Sequence, residues 1–394
     1  MKIIEPSYYI LVDPVSTSES DICRYIERIG RICYKSEDKI TDDSAIKFVN
    51  MLKNNQHWAM LEHYIFRIKL PISLVHQIND LKSIENPDIQ EVMNYIRIIT
   101  RLDREDDNCG LIIASPTGIN KLNKVIIDEY FAKDRLPSQR FTVDIVSVII
   151  FIKAMHKLYP NLINDVTSND IISEILVKQT DVSANELIDH NSIVILDDID
   201  INNMINTYNR CGDWRRNIGM QLMEFATWFS VKFTVNRGVT HELVRHRPAS
   251  YAQESTRYCN YSGNKFGSEI TVISPLYYSD GTKVEPISPM YTKWKQGCEH
   301  CEKTYFELIE LGATAQMARG NLPTDLKADI VCTASLHEWL HIFDMRCDSP
   351  AHPQIREVMI PLYKHICNLY SITCDVDLSV YHPTNVVPYT TNIN

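Results

Sequence analysis

Residues 228–258 read WFSVKFTVNRGVTHELVRHRPASYAQESTRY. Apolar side chains occupy every second position from Phe229 to Val235, which is the period of a strand with one buried face. The Asn-Arg-Gly triplet that follows predicts a turn, and VTHELVRHR predicts a short helix. This stretch therefore predicts a strand, a turn and a helix, followed by a dense run of charged and polar residues.

A second strand is predicted far upstream, within HWAMLEHYIFRIKLP. Its apolar positions alternate from Tyr64 to Leu70, and Pro71 ends the pattern. Apolar residues at helical spacing predict helices within 20–56, in KTYFELIELG, over 327–345 and in EVMIPLYKHICNLY. No internal repeat is evident along the chain.

The segment 72–227, between the two predicted strands, has a different character. It mixes helical patterns, DIVSVIIFIKAMHKLY and INNMINTYNR, with an acidic turn at Asp197, Asp198 and Asp200. It contains no recognisable catalytic constellation. We predict that this segment is an insertion at the periphery of a sheet.

Length and composition limit the class of protein. The chain has 394 residues and a mass of 45.6 kDa, enough for one large domain or two ordinary ones. A net charge of -10 argues against a surface built to coat nucleic acid, although a local basic pocket is compatible with it. Eleven cysteines without regular spacing favour reduced thiols over a disulfide framework. With no signal peptide or membrane span in the sequence, we expect a cytoplasmic protein.

The densest polar cluster is RHRPASYAQESTRY, residues 245–258. Arginine guanidinium groups bind phosphate in a bidentate manner, and hydroxyl and amide groups can complete an anion site. The cluster could therefore line a pocket for a phosphorylated ligand. A nucleic-acid surface would need a wider basic area, and a solvated charged loop would not interleave its charges with proline, alanine and tyrosine.

A second candidate site is the H-E-x-x-H sequence His337-Glu338-Trp339-Leu340-His341. On a helix its two histidines share one face and could bind zinc, with Glu338 as general base. A metzincin continuation is missing, because Asp344 and Cys347 stand at its glycine and histidine positions. The alternative is a pair of helical histidines packed at the edge of a pocket. No nucleotide-binding glycine motif and no G-x-S-x-G elbow occurs in the sequence.

RHRPASYAQESTRY resembles the signature of the flavin-dependent thymidylate synthases, in which Arg-His-Arg is followed after seven residues by serine. Here it runs from Arg245 to Ser255. Four other segments resemble this family in the expected order: ICYKS, HWAMLEH, ARGNLPTDL and HIFDMRCDSPAHPQIRE. The resemblance implies an α+β fold, a mainly antiparallel sheet flanked by helices. Its catalytic domain would comprise 1–71 and 228–394, and 72–227 would be a mixed helical insertion of unknown role.

The resemblance also implies two sites and the residues that form them. The positions that match an FAD site are His57, Arg245, His246, Arg247, Gln253, Ser335, His337 and His341. The positions that match a dUMP site are Glu242, Arg245, Gln253, Ser255, Thr256, Arg257, Arg319 and Arg346. The candidate catalytic residues are Arg346, which can stabilise negative charge on a uracil ring, and Ser255, which we expect to position the ligand rather than act as a nucleophile.

The implied activity is conversion of dUMP to dTMP, with methylenetetrahydrofolate as carbon donor and NADPH-reduced FAD as hydride source. The implied assembly is a homotetramer with intersubunit sites, without nucleic acid, membrane or metal. Two alternatives stay open: a flavin-dependent dUMP hydroxymethylase and a non-catalytic nucleotide-binding homologue. The resemblance argues against the zinc interpretation, because it turns His337 and His341 towards a flavin.

Three residues depart from the family pattern. Ser335 stands where asparagine is usual, His337 where arginine is usual, and Glu242 where glutamine is common.

Overall fold

The computed structural model describes residues 1–11, 13–14, 16–100, 102, 109–131, 145–165, 193–211, 215–263, 267–274 and 282–372. The chain forms two compact units. Unit 1 comprises Met1–Val12, Ile29–Lys39 and Phe229–Asn394. Unit 2 comprises Asp13–Arg28 and Ile40–Trp228.

The described residues form ten strands and fourteen α-helices. The strands are β1 (Lys2–Ile4), β2 (Ser7–Leu11), β3 (Phe66–Pro71), β4 (Ile96–Ile99), β5 (Cys109–Ala114), β6 (Val194–Leu196), β7 (Trp228–Asn236), β8 (Ser250–Gln253), β9 (Thr271–Ile273) and β10 (Lys327–Ser335). The helices are α1 (Glu19–Tyr34), α2 (Ser44–Asn54), α3 (Trp58–Leu61), α4 (Ile72–Asp80), α5 (Pro87–Met93), α6 (Pro116–Phe131), α7 (Ile145–Leu158), α8 (Asp198–Asn209), α9 (Arg215–Gln221), α10 (Arg237–Leu243), α11 (Pro289–Glu310), α12 (Ala315–Ala318), α13 (Leu336–Cys347) and α14 (Pro353–Tyr370).

Unit 1 is built on a four-stranded sheet with the order β2-β7-β10-β8. The predicted strand β7 is confirmed, and its apolar positions from Phe229 to Val235 are buried. Strand β2 pairs with β7 and β8 pairs with β10, both antiparallel. A separate two-stranded parallel sheet joins β1 and β9. Mixed helices and mainly antiparallel sheets agree with the predicted α+β class.

The predicted turn after β7 is wrong, because the strand passes directly into α10. The side chain of Asn236 accepts a hydrogen bond from the backbone N–H of Val239 at 2.9 Å. Asparagine is a favoured N-cap because its oxygen satisfies one of the free N–H groups of the first helical turn. A residue type typical of turns thus begins a helix here.

The single helix predicted over 327–345 is also wrong. Residues up to Ser335 form β10, and α13 begins at Leu336. Every residue from Ala328 to Ser335 is buried, so β10 is covered on both faces and lacks the alternation that identifies a half-exposed strand. The side chain of Ser335 then caps α13 by accepting a hydrogen bond from the N–H of Glu338 at 3.3 Å.

Helix α13 packs on the sheet of unit 1 through Trp339, which is fully buried. Its indole ring stacks on Phe229, with ring centres 5.2 Å apart, and on Phe343 of its own helix at 5.7 Å. The indole N–H donates to the carbonyl of Phe229 at 3.2 Å. These contacts fix the helix that carries the H-E-x-x-H sequence.

The other helix predictions for unit 1 are confirmed. The segment KTYFELIELG forms the end of α11, and Gly312 follows it with φ +93°, a left-handed conformation that favours glycine. The segment EVMIPLYKHICNLY lies in α14. Helix α1 crosses the boundary between the units, with Glu19–Arg28 in unit 2 and Ile29–Tyr34 in unit 1.

Unit 2 has its own four-stranded antiparallel sheet, with the order β4-β5-β3-β6. The predicted strand β3 is confirmed, and Ile68 lies between Ile112 of β5 and Ile195 of β6. The segment 72–227 lies wholly in unit 2, together with residues 13–28 and 40–71. The family resemblance instead groups 1–71 with 228–394.

The helical patterns predicted in 72–227 are confirmed at α7 and α8, but the segment also supplies three strands of a sheet. The expectation of a peripheral addition is therefore wrong, since β3 finds both neighbours in this segment. The acidic turn has a structural role: Asp197 and Asp200 form a capping box for α8, and Asp198 pairs with the buried Arg67 at 2.8 Å.

None of the described helices combines the length and apolar character needed to cross a membrane.

We predict that Trp339→Ala destabilises unit 1 by about 3–5 kcal/mol, because it leaves a cavity under α13. Hydrogen exchange of the β10 amides reports the loss within unit 1. The control Met345→Ala changes an exposed side chain of the same helix, so its effect should stay within about 0.5 kcal/mol. Equal effects of the two variants would contradict this packing.

Candidate functional site

The first part of the arginine-rich segment forms the loop that joins the end of α10 at Leu243 to the start of β8 at Ser250. The Arg247–Pro248 peptide bond is cis. The hydroxyl of Tyr251 donates to the carbonyl of Leu243 at 2.8 Å and lies 3.2 Å from the carbonyl of His246. The side chain of Tyr251 thus ties the start of β8 to the end of α10.

Arg346, on α13, joins this loop to α10. Its Nε donates to Nε2 of His246 at 2.9 Å. Its Nη1 lies 3.1 Å from a carboxylate oxygen of Glu242, and its Nη2 donates to the backbone carbonyl of Glu242 at 3.1 Å. A guanidinium has more N–H groups than these three bonds use, so Arg346 retains donors for a ligand.

His246 is held in its neutral form. Burial, followed by the charge of Arg346 and the proximity of His341, lowers its pKa from 6.5 to about 4. Arginine cannot accept a hydrogen bond, so Nε2 of His246 must be the acceptor and Nδ1 carries the proton. The loop therefore presents a buried neutral imidazole beside a fixed cation.

Two further groups of α13 lie beside His246. The His341 ring meets the His246 ring edge to face, with centres 6.0 Å apart. Glu338 is buried, which raises its carboxyl pKa, and its Oε1 has no hydrogen-bond partner in the described part of the chain. Potential ligand atoms of His246, Glu338 and His341 lie within 4.8 Å of one another.

This group of three differs from the zinc pair suggested by H-E-x-x-H. His337 is exposed and is not part of it, and His246 comes from another segment. A cation there would lie next to the guanidinium of Arg346, which is bonded to His246 and opposes metal binding by charge repulsion. The arrangement therefore favours an uncharged or anionic ligand over a metal ion.

The serine of the signature starts a second part of the site. The N–H of Ser255 donates to the carbonyl of Cys33 at 3.0 Å, and its hydroxyl oxygen accepts from the N–H of Arg257 at 3.3 Å. Thr256 is buried, whereas Arg257 is exposed and its Nε donates to Gln316 at 3.1 Å. This bond holds Arg257 next to the segment that carries Arg319.

The arginines differ in how far they are already occupied. Arg247 donates to the carbonyls of Val244 and His246 at 2.7 and 2.8 Å. Arg245 and Arg319 are exposed, and their side chains form no hydrogen bond or ion pair with any described residue. These two guanidinium groups are therefore available to an anionic ligand. Gln253 is partly engaged, since its amide donates to the hydroxyl of Thr240 at 2.9 Å.

A cluster of three lysines and two acids supports the Ser255 segment, and the sequence analysis missed it. Asp329 on β10 is bonded to Lys35, to Lys327 at 3.1 Å and to Lys232 at 3.5 Å. Lys327 also bonds Glu254 at 2.7 Å. Burial alone would raise the pKa of Asp329, but the three cations lower it below its ordinary value.

The lysine cluster binds together segments that are distant in sequence. Glu254 immediately precedes Ser255, while Lys35 and Cys33 come from the end of α1. The segment ICYKS thus holds the signature serine in place through Cys33, which bonds Ser255, and Lys35, which pairs with Glu254. The lysine in ICYKS, at the end of a helix, was a sequence signal, but its partners Glu254 and Asp329 could not be identified without a fold.

All the predicted site residues except His57 lie in unit 1. His57 is exposed and precedes α3 in unit 2. Its role in a flavin site stays a prediction.

Comparison with known proteins finds its similarity in the segment that contains the signature. Residues 210–370 match the family described as thymidylate synthase complementing protein. The resemblance to flavin-dependent thymidylate synthases is confirmed over this segment. Relatives of that name include proteins of Pyrococcus abyssi, 34% identical over 146 residues, Pyrococcus furiosus, 35% over 138, and Geobacter sulfurreducens, 29% over 130.

These matches cover part of each protein. They span 37%, 35% and 33% of this chain and 56%, 53% and 52% of the three relatives, respectively. The chain therefore spans about half the length of the curated relatives it matches, and the matched part contains Arg245–Arg257, Arg319 and Arg346.

We predict that His246 stays neutral at pH 6 and that Arg346→Ala raises its pKa, because the variant removes both a neighbouring charge and the donor to Nε2. NMR titration of ring-labelled histidines measures both values. Between pH 6.5 and about 4 the unfolded chain binds a proton that folded His246 does not, so the free energy of unfolding should fall as pH falls through this interval. An unchanged His246 pKa in the variant would show that Arg346 does not act on the ring.

Proposed function

We propose that the protein is a flavin-dependent thymidylate synthase, which converts dUMP to dTMP with methylenetetrahydrofolate as carbon donor and NADPH-reduced FAD as hydride source. The observation that carries the proposal is the placement of Arg346. Its guanidinium is fixed by Glu242 and the neutral His246 and keeps free donors. Such a group can hydrogen-bond a uracil carbonyl and stabilise negative charge as it develops on the ring.

The phosphate of dUMP would bind at the exposed arginines. Arg245 and Arg319 have no partners among the described residues, and Arg257 retains N–H groups beyond its bond to Gln316. Forked guanidinium groups match the geometry of a phosphate monoester. Gln253, Ser255 and Thr256 would position the sugar and base from the adjoining strand end. In this proposal Ser255 is a positioning residue.

The residues assigned to FAD fit a flat, anionic cofactor. Arg245 and Arg247 are exposed and suit its diphosphate, while His337 and His341 present exposed imidazole groups on α13. The hydroxyl of Ser335 accepts the capping bond of Glu338 but can still donate one. When bound, the flavin would supply the hydride that completes the methyl group. The chain's own residues would orient the nucleotide and keep His246 unprotonated beside Arg346.

The acidic residue Glu242 has a clear function in this arrangement. Glutamine, common at this position in the family, could accept one bond from Arg346, but a carboxylate also balances its charge. This ion pair favours the fixed orientation of Arg346. The departure at Glu242 is therefore compatible with the proposed activity.

The finer parts of the proposal rest on the family resemblance. We assign catalysis to unit 1, with the fold typical of these synthases, and we propose NADPH as reductant, a cytoplasmic location and a homotetramer whose sites draw on more than one subunit. A dUMP hydroxymethylase would use the same contacts and is distinguished by its product.

To test the proposal, metal ions are first removed from the protein with a chelator. The protein is then incubated with FAD, NADPH, methylenetetrahydrofolate and dUMP, and the nucleotide product is identified by mass spectrometry. We expect flavin absorbance in the purified or reconstituted protein and a methylated product. Arg346→Ala should lower turnover by about 10²–10³ because it removes a donor to the developing charge, while flavin binding is retained. The control Asp344→Asn alters an exposed charge on the same helix and should retain activity.

Three results would contradict the proposal. A 5-hydroxymethyl product would favour the hydroxymethylase, nucleotide binding without turnover would favour the non-catalytic homologue, and a tightly bound zinc without flavin absorbance would restore the hydrolase interpretation.

We predict that Ser255→Ala weakens dUMP binding and slows turnover but still yields dTMP. No imidazole or carboxylate among the described residues is hydrogen-bonded to the Ser255 hydroxyl, so no base is in place to activate it as a nucleophile. Steady-state kinetics should show a raised KM for dUMP with measurable kcat. Complete loss of product with both ligands still bound, and a Ser255–nucleotide adduct in the natural protein, would overturn the positioning role.

A further inference from the structure

The two units repeat one arrangement of strands and helices. In unit 1 the order along the chain is β7-α10-β8-β10-α13-α14, with β9, α11 and α12 between β8 and β10. In unit 2 it is β3-α4-β4-β5-α6-α7, with α5 between α4 and β4. The sheets also agree, since the order β7-β10-β8 in unit 1 corresponds to β3-β5-β4 in unit 2. Each central strand has one more antiparallel neighbour, β2 or β6.

The junctions between β7 and α10 and between β3 and α4 fix the alignment of the two copies. Strand β3 ends at Pro71 and α4 begins at the next residue, just as β7 ends at Asn236 and α10 begins at the next. With these ends aligned, Phe66 corresponds to Val231. Each residue from Leu74 to Lys82 is then buried, partly buried or exposed in the same way as its counterpart from Val239 to Arg247.

Strand pairing extends this alignment to the neighbouring strands of each sheet. In unit 2, Ala114 lies opposite both Phe66 and Ile96. In unit 1, Cys332 lies opposite Tyr251. The side-chain bonds Ser230–Thr333 (2.5 Å) and Thr234–Asp329 (2.7 Å) show that β7 and β10 are antiparallel and place Cys332 opposite Val231 as well. With Phe66 aligned on Val231, Ala114 therefore corresponds to Cys332 and Ile96 to Tyr251.

Arg245, His246 and Gln253 of the signature have no equivalent in the second copy, and of its charged side chains only the cation at Arg247 is retained, as Lys82. Asp80, Leu81 and Lys82 occupy the positions of Arg245, His246 and Arg247. By the strand ladder, Ile98 occupies the position of Gln253. A carboxylate replaces the first guanidinium and repels an anion, and a buried leucine cannot accept a hydrogen bond as His246 does.

We infer that unit 2 is a second copy of the fold module of unit 1 that has lost the equivalents of Arg245, His246 and Gln253, so that each chain binds one flavin and one nucleotide, at the loop between α10 and β8 in unit 1. The family match agrees with the divergence of this copy, because it begins at residue 210 and leaves most of unit 2 outside. The identity of the ligands rests on the proposed function, whereas the duplication rests on topology, on the two strand–helix junctions and on burial.

The test has two arms, and the first is an experimental structure of the full chain with FAD and dUMP. We expect β3-α4-β4-β5 to superpose on β7-α10-β8-β10 with Phe66 on Val231, and the ligands to lie at Arg245–Arg247 and not at Asp80–Lys82. A different strand order or register would refute the duplication. A ligand at Asp80–Lys82 would refute the loss of the second site. Superposable modules with neither ligand bound would confirm the duplication and refute the proposed function instead.

The second arm is a titration of the full chain with FAD, using matched substitutions at equivalent positions. We expect one FAD per chain, weakened by about tenfold or more in Arg247→Gln, since a hydrogen bond to a charged group contributes about 1.5–3 kcal/mol. Lys82→Gln should leave both the affinity and the stoichiometry unchanged. Two FAD per chain, with one lost in Lys82→Gln, would overturn the inference.

Discussion

The guanidinium of Arg346 is the contact on which the candidate site depends. It reaches from α13 to two residues of a different segment, Glu242 and His246, and satisfies acceptors on both. Its charge helps to keep His246 neutral, and Glu242 in turn keeps the guanidinium in one orientation. The loop between α10 and β8, the histidine face of α13 and the end of β8 are therefore mutually dependent.

The lysine cluster around Asp329 supports the part of the site that begins at Ser255. Asp329 gathers Lys35, Lys232 and Lys327 from three separate segments, and Glu254 shares two of these lysines. Buried charges are stable only when paired in this way. The pairing brings the end of α1 beneath Ser255, which explains why a short segment near the N terminus accompanies a signature more than 200 residues later.

Strands β3 and β7 were predictable because polar side chains alternate with the apolar row, even though Arg67 and Ser230 are themselves buried. The signature could be read because its residues are contiguous. Strands β5 and β10 were missed because their runs are buried on both faces, which removes the period of two. The lysine cluster and the bond between Arg346 and His246 join distant segments, and a single sequence contains no signal for such pairs. The repeat escaped detection because burial is preserved between the copies while residue identity is not.

The direct passage from β7 into α10 has a mechanical consequence. Strand β7 ends at Asn236 and α10 begins at Arg237, with no loop between them. No flexible residues are therefore available at this junction to accommodate an insertion or a deletion. Each residue added to a helix turns everything after it by about 100°. An insertion at this junction would swing Arg245 and Arg247 to another side of the molecule, even though every side chain of the signature were still present. The spacing between strand and arginines is thus as much a part of the recognition element as the arginines.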